Sequence, residues 1–183
     1  MNFDEVQNII QKDKERNVHP KNRMFILLFR YGQYFYINAK KNVLFLILSL
    51  LVRGGIKIFI NRNNHYPLEA SIGSGLRLPH NFGIVISGDT VIGENATIMH
   101  QVTIGADVTG NDKSPVIGNQ VFIGAGAKVI GQCKVGSNVI VGANAVVTKN
   151  VPDNYTVVGF NRLISPKCNN IYNLPGGSHE SPN

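Results

Sequence analysis

Between Ile117 and Val147 an aliphatic residue falls at every sixth position: Ile117, Ile123, Val129, Val135, Val141 and Val147, with glycine following at 118, 124, 136 and 142. The same interval joins Ile72, Leu78 and Ile84, and then Ile92, Ile98 and Ile104. These two blocks are offset by a two-residue slip, placed around Ile86-Ser-Gly-Asp89, and the repeat is interrupted again between Ile104 and Ile117. A period of six is neither that of a helix nor the alternation of a long strand. A chain that turns one aliphatic side chain inward every six residues can wind as a three-sided prism of short strands, about eighteen residues to the coil, with coils stacked at about 4.8 Å. Small residues beside the anchors let the corners turn tightly. No coil buries its apolar side alone, so stability comes from neighbour contacts. A sandwich with Gly-rich turns is the competing reading, disfavoured because sandwiches do not hold so strict a short period.

The repeat occupies one part of three. Residues 1–62 carry helix-like spacing: Phe3, Val6, Ile9 and Ile10, then Met24, Leu27, Leu28 and Tyr31, then an apolar 43–60 segment broken at Gly54-Gly55. They are read as a helical region of two or three helices. Residues 66–164 form the repeat domain, and residues 165–183, rich in Asn, Pro, Gly and Ser, are read as a flexible tail. A chain of 183 residues, 43% apolar and 16% charged, fits one globular unit and excludes a disordered or multi-domain protein.

The net charge of +7 lies wholly in the N-terminal third, where eleven Lys/Arg face Asp4, Glu5, Asp13 and Glu15, so no nucleic-acid partner is expected. The run Val43–Val52 is far shorter than the ~20 residues that span a bilayer. With no basic leader ahead of an early apolar stretch, and with only Cys133 and Cys168, the expected setting is the cytoplasm. Lys40, Lys41 and Arg53 flank the apolar run, with Arg23, Arg30 and Lys57 nearby. That pattern suits a buried oligomer interface with a cationic rim, or peripheral contact of residues 1–62 with anionic lipid.

The blocks Ile72-Gly-Ser-Gly-Leu-Arg-Leu-Pro-His-Asn-Phe-Gly-Ile-Val-Ile86, Val102-Thr-Ile-Gly105, Ile123-Gly-Ala-Gly-Ala-Lys128 and Val141-Gly-Ala-Asn-Ala-Val-Val-Thr-Lys-Asn-Val-Pro152 resemble the serine acetyltransferase branch of the hexapeptide-repeat acyltransferases. That branch includes O-acetyltransferases of capsule and colanic-acid type. More loosely, Leu27-Leu-Phe-Arg-Tyr-Gly-Gln-Tyr34 resembles the helix that precedes its repeat. The resemblance implies a mainly β fold, a left-handed parallel β-helix behind a short α-helical region, against the usual right-handed crossover. It also implies trimers, which could pair through residues 1–62 into hexamers, with acetyl-CoA bound between neighbouring prisms.

Acetyl transfer from a thioester to a hydroxyl needs a base, and a neutral imidazole suits cytoplasmic pH. His80, two residues past Leu78 and set between Pro79 and Gly83, is the candidate general base, with Glu69 or Asp89 as candidate orienting acids. His100, two past Ile98, is expected to stack on the same face and line the acceptor site, and Ser114 is a further acceptor-side candidate. A zinc reading of His65, His80 and His100 is set aside because the coil count puts His65 off the shared column; no metal is expected. For acetyl-CoA the resemblance implies contacts from Ala125 and Ala143, one coil apart, from Thr148 and Lys149, the latter against phosphate, and from Arg162, with backbone N–H groups of Gly105 and Ala106 at the thioester oxygen. Cys133 is read as packing, so transfer is direct and not through an acyl-cysteine.

The acceptor is the finer question. Serine acetyltransferases carry an acidic partner upstream of the first repeat, where this chain has Asn64-His65, and a histidine before the loop's closing proline, where it has Ser114-Pro115. The tail also lacks the terminal isoleucine that docks such enzymes to the next enzyme of cysteine synthesis. On these departures the expected acceptor is a sugar hydroxyl of a surface-polysaccharide precursor. Serine is the alternative, and a non-catalytic, membrane-docking β-helix protein the second.

Overall fold

The computed structural model describes residues 1–40, 42–56, 64–109 and 112–165. Three helices come first: α1 (Phe3–Arg16), α2 (Pro20–Asn38) and α3 (Val43–Gly55). Each start has a local cause. Asn2 and Glu5 close a reciprocal capping box on α1, His19 caps α2 ahead of Pro20 at its first turn, and Asn42 accepts from the Leu44 N–H on α3.

Thirteen short strands follow, and the chain visits three sheets in rotation. β1 (Ser71–Ile72), β3 (Val91–Ile92), β6 (Val116–Ile117) and β9 (Lys134–Val135) form the first sheet; β4 (Thr97–Ile98), β7 (Phe122–Ile123), β10 (Ile140–Val141) and β12 (Thr156–Val158) form the second. The third holds β2 (Val85–Ile86), β5 (Thr103–Gly105), β8 (Lys128–Ile130) and β11 (Val146–Val147). Every pairing among these is parallel, and only β13 (Arg162–Ile164) returns antiparallel along β12. The fold is therefore parallel and β-rich with a helical N-terminal region.

The six-residue anchors become three buried columns. Ile72, Ile92, Ile117 and Val135 stand in register in the first sheet, Ile98, Ile123, Val141 and Val157 in the second, and Ile86, Ile104, Val129 and Val147 in the third. Burying each such side chain contributes about 1.5–3 kcal/mol. The slip lies elsewhere than expected. Ile86, not Ile84, stands opposite Ile104, so the two extra residues sit in the corner 79–85, the corner that carries His80. Ile84 is fully buried as well, which is why the periodicity misplaced the offset.

Among the described residues the first coil has no coil before it, and an unpaired parallel edge must be covered. Polar side chains of α1 and α2 do so. Gln33 donates to the Ala70 carbonyl (2.7 Å), Arg30 to those of Ile72 (2.7 Å) and Gly73 (2.6 Å), Arg16 to that of Gly75, and Asn17 to that of Leu76 (2.7 Å). In return the Leu76 and Leu78 N–H groups donate to Asp13 Oδ1 (2.8 Å) and Asn17 Oδ1 (2.9 Å). Asp13 Oδ2 meets Arg30 Nε at 2.7 Å, both side chains buried. Arg30 is thus no part of a surface cationic patch. The spacing at Met24, Leu27, Leu28 and Tyr31 likewise does not mark the inward face of α2: Met24 is 57% exposed, and Phe25, Ile26 and Phe29 enter the core instead. The helix is turned by the demand that Arg30 and Gln33 reach the edge. Lys41, Lys57 and the tail beyond Ser165 lie outside the described residues, among which no helix is long and apolar enough to cross a membrane.

Candidate active site

Position two past the second-sheet anchor is a corner, and it repeats in every coil. His80, His100, Ala125 and Ala143 occupy it in successive coils, following Leu78, Ile98, Ile123 and Val141. Backbone bonds tie the column together: the Gly126 N–H donates to the His100 carbonyl (2.9 Å) and the Asn144 N–H to that of Ala125 (2.8 Å). Gly124 admits no side chain, since a Cβ there would come within 2.6 Å of the Ala143 nitrogen. The two imidazoles meet edge to face with ring centroids 5.6 Å apart. His80 is exposed, His100 half-buried with its Nδ1 buried and unpartnered among the described residues. In the last coil β13 brings Arg162 opposite Val158, beside the same corner. Five steps at about 4.8 Å, through β4, β7, β10 and β12 to β13, put its strand about 24 Å from that of His80.

The remaining candidates lie on the next edge, across the third sheet. Gly105 ends β5 in register with Ile130, and Ala106 lies just past it. Thr148 and Lys149 follow Val147 on the same edge. Asn161 holds Thr148 through the Thr148 N–H (2.8 Å) and by donating to its hydroxyl oxygen (2.7 Å), and Lys149 is exposed. Ser114 shares a hydrogen bond with Ser87 (2.8 Å) and lines a cleft of about 550 Å³ with Asp89, Lys113, Cys133, Lys134 and Asn150. Burial pushes the Cys133 thiol up from its ordinary value. A single chain therefore keeps Gly105, Ala106, Ser114, Thr148 and Lys149 a sheet away from the two histidines.

Neither acid weighed as a partner for His80 reaches it. Asp89 faces the cleft on the far edge. Glu69 is held by Arg53 Nη2 at 2.8 Å; burial works against its charge, but that bond, its own backbone hydrogen bond and the charges of Arg53 and His65 keep its carboxyl below the ordinary value. His65 pairs with Val85 at the start of the third sheet, and no group of three or more His, Cys, Asp or Glu converges among the described residues.

The side chains that hold the His80 corner are uncharged, and no pattern in the sequence marks them. Tyr66 Oη donates to Asn81 Oδ1 (2.7 Å), as does Asn64 Nδ2 (2.7 Å), while Asn64 Oδ1 accepts from the Ile84 N–H (2.9 Å). Asn22 of α2 donates to the carbonyls of Leu78 (2.6 Å) and Pro79 (3.3 Å). Tyr66 packs half-buried against Phe25 and Phe29, its ring 4.7 and 5.8 Å from theirs, and desolvation there pushes its phenol well above the ordinary value, which keeps it a donor. These residues lie before the first repeat or in its irregular corner, where no periodicity marks them.

A family profile described as bacterial transferase hexapeptide (six repeats) matches residues 114–149. A serine acetyltransferase of Buchnera aphidicola is 46% identical over 103 residues, covering 55% of this chain and 40% of that protein. The solved serine acetyltransferase of Brucella abortus superposes with a TM-score of 0.69 at 30% identity, over 89% of this chain and 69% of the other. That of Neisseria gonorrhoeae gives 0.73 at 27% identity, over 90% and 69%. The rotation through three parallel sheets, the six-residue columns and these matches define a hexapeptide-repeat acyltransferase. Within that class the chain belongs to the serine acetyltransferase-like branch. It spans about half the length of the curated relatives it matches.

These matches correct the expected acceptor. The similar proteins and solved structures are serine acetyltransferases, so a sugar hydroxyl and a place in polysaccharide synthesis are not supported.

Proposed function

We propose that this protein is an acetyl-CoA-dependent serine O-acetyltransferase, in which His80 is the general base. The observation that carries the reading is the shared corner: two histidines at one end, small Ala125 and Ala143 on the next coils, and Arg162 at the far end. A cofactor laid along that edge would keep its pantetheine against the alanines, its phosphates toward Arg162 and its thioester beside the imidazoles. His80 takes the proton from serine Oγ as that oxygen attacks the thioester carbon. A C–O bond forms, the carbonyl oxygen becomes an oxyanion, and an N–H donor such as that of Ala106 is suited to receive it. When the C–S bond breaks, the imidazolium returns the proton to the departing CoA sulfur.

The reading carries three further proposals. The coil is a left-handed parallel β-helix, residues 66–164 being the transferase unit and 1–62 its helical region. The protein assembles as a homotrimer, because Gly105, Ala106, Ser114, Thr148 and Lys149 lie an edge away from His80 and would complete the site only from a neighbour. The exposed apolar residues of α3, Leu46, Ile47, Leu50 and Leu51 among them, then suit pairing of trimers into a hexamer.

Incubation with acetyl-CoA and L-serine, following free thiol with a chromogenic disulfide and product by mass spectrometry, tests the function. O-acetylserine formed in step with CoA release is expected. CoA binding with no O-acetylserine above the enzyme-free blank overturns serine as acceptor.

A further inference from the structure

The His80 corner differs from its counterpart one coil on in two ways. It runs two residues longer, from Leu78 to the anchor Ile86, and among the described residues it has no coil on its outer side. A longer, one-sided loop would leave a reacting side chain poorly aimed unless something else held it. The hydrogen bonds supply that support from both flanks. Asn22 pins the carbonyls of Leu78 and Pro79 just ahead of His80, and the Asn81 side chain just after it is gripped by Tyr66 Oη and Asn64 Nδ2. The Phe82 N–H closes a tight turn on the His80 carbonyl (2.9 Å), and the Phe82 carbonyl accepts from the Gln101 N–H of the next coil (2.8 Å). Among the described residues no carboxylate hydrogen-bonds the His80 ring.

We propose that Asn81 is a positioning residue for the transfer reaction: clamped by Tyr66 and Asn64, it fixes the direction of His80 through the backbone turn they share, in place of a carboxylate bound to the imidazole. The inference rests on His80 being the base. The clamp is neutral throughout, so it aims the imidazole without adding a charge beside it. It also joins the helical region to the chemistry, because Tyr66 is seated on Phe25 and Phe29 of α2.

The test uses the full chain in three clamp variants, with His80→Ala as the reference for assignment. Tyr66→Phe removes one hydroxyl and keeps the packing, Asn81→Ala removes the clamped group, and Asn81→Asp restores an acceptor oxygen for both donors. Tyr66→Phe and Asn81→Ala should lower kcat about tenfold to a hundredfold, the range that a small misplacement of a reacting group produces. The KM for acetyl-CoA should stay within about twofold, because its contacts lie on other coils, and Asn81→Asp should recover most of the lost kcat. A general loss of fold would instead raise both KM values and resist rescue. The His80 ring resonances, assigned by loss in His80→Ala, give a readout independent of activity: one sharp set in the parent and shifted or broadened signals in Asn81→Ala. Unchanged kcat and unchanged ring signals in both Tyr66→Phe and Asn81→Ala overturn the positioning role. If the parent makes no O-acetylserine the functional reading fails, while the ring signals still decide whether the clamp holds His80.

Discussion

His80 and His100 stand on one corner, the first exposed and the second half-buried, and the roles proposed for them divide accordingly. General-base assistance is worth about 10²–10⁴-fold, so His80→Ala should lower kcat by that much while leaving fold and CoA binding near those of the parent. His80→Ala retaining more than about a tenth of the parent kcat would move the base elsewhere. His100 keeps a buried Nδ1 with no hydrogen-bond partner among the described residues, which leaves it available to a ligand. Its removal should raise the KM for serine more than it lowers kcat, as for a residue that lines the acceptor side; an equal fall in kcat at constant KM would place it in the chemistry instead.

At the scale of elements, α1 and α2 act as a lid of side chains on the open edge of the first coil, and the Asp13–Arg30 pair is its centre. Removing one partner leaves the other buried and uncompensated, so Asp13→Ala should cost about 3–5 kcal/mol in urea unfolding. The double replacement Asp13→Leu/Arg30→Met should cost less than the two single losses combined. A loss below about 1 kcal/mol for Asp13→Ala would mean that the pair does not carry the edge. The sequence shows why such a lid is hard to foresee. Helix starts are legible at Asn2 and Pro20, since caps are local, and the buried columns are legible because a six-residue period repeats. Arg30 reads as a surface cation because its partners, Asp13 and the Ile72 and Gly73 carbonyls, are distant in sequence. The same holds for the site: His80, His100, Ala125 and Ala143 share one coil position and are found by counting, whereas Asn22, Asn64, Tyr66 and Asn81 meet only in three dimensions.

For the whole molecule, the separation of His80 from Lys149 by a full sheet makes assembly part of the proposed chemistry. Light scattering should give three or six times the 20.0 kDa chain mass, and Leu46→Lys/Leu50→Lys on α3 should leave trimers that retain activity. An active monomer at micromolar concentration would overturn the shared site. The coil itself is unequally permissive. Outward from its axis it has absorbed a turn of 25 residues between Ile92 and Ile117 without losing register. Along its axis, between stacked coils, it accepts nothing at Gly73, where a Cβ would come within 2.7 Å of the Gly93 backbone, or at Gly118, which meets Ser137 and Gly136 as closely. Mutational tolerance in this protein should therefore be directional: the chain can grow by whole loops at its corners, yet a single methyl group on the glycine ladder would force neighbouring rungs apart.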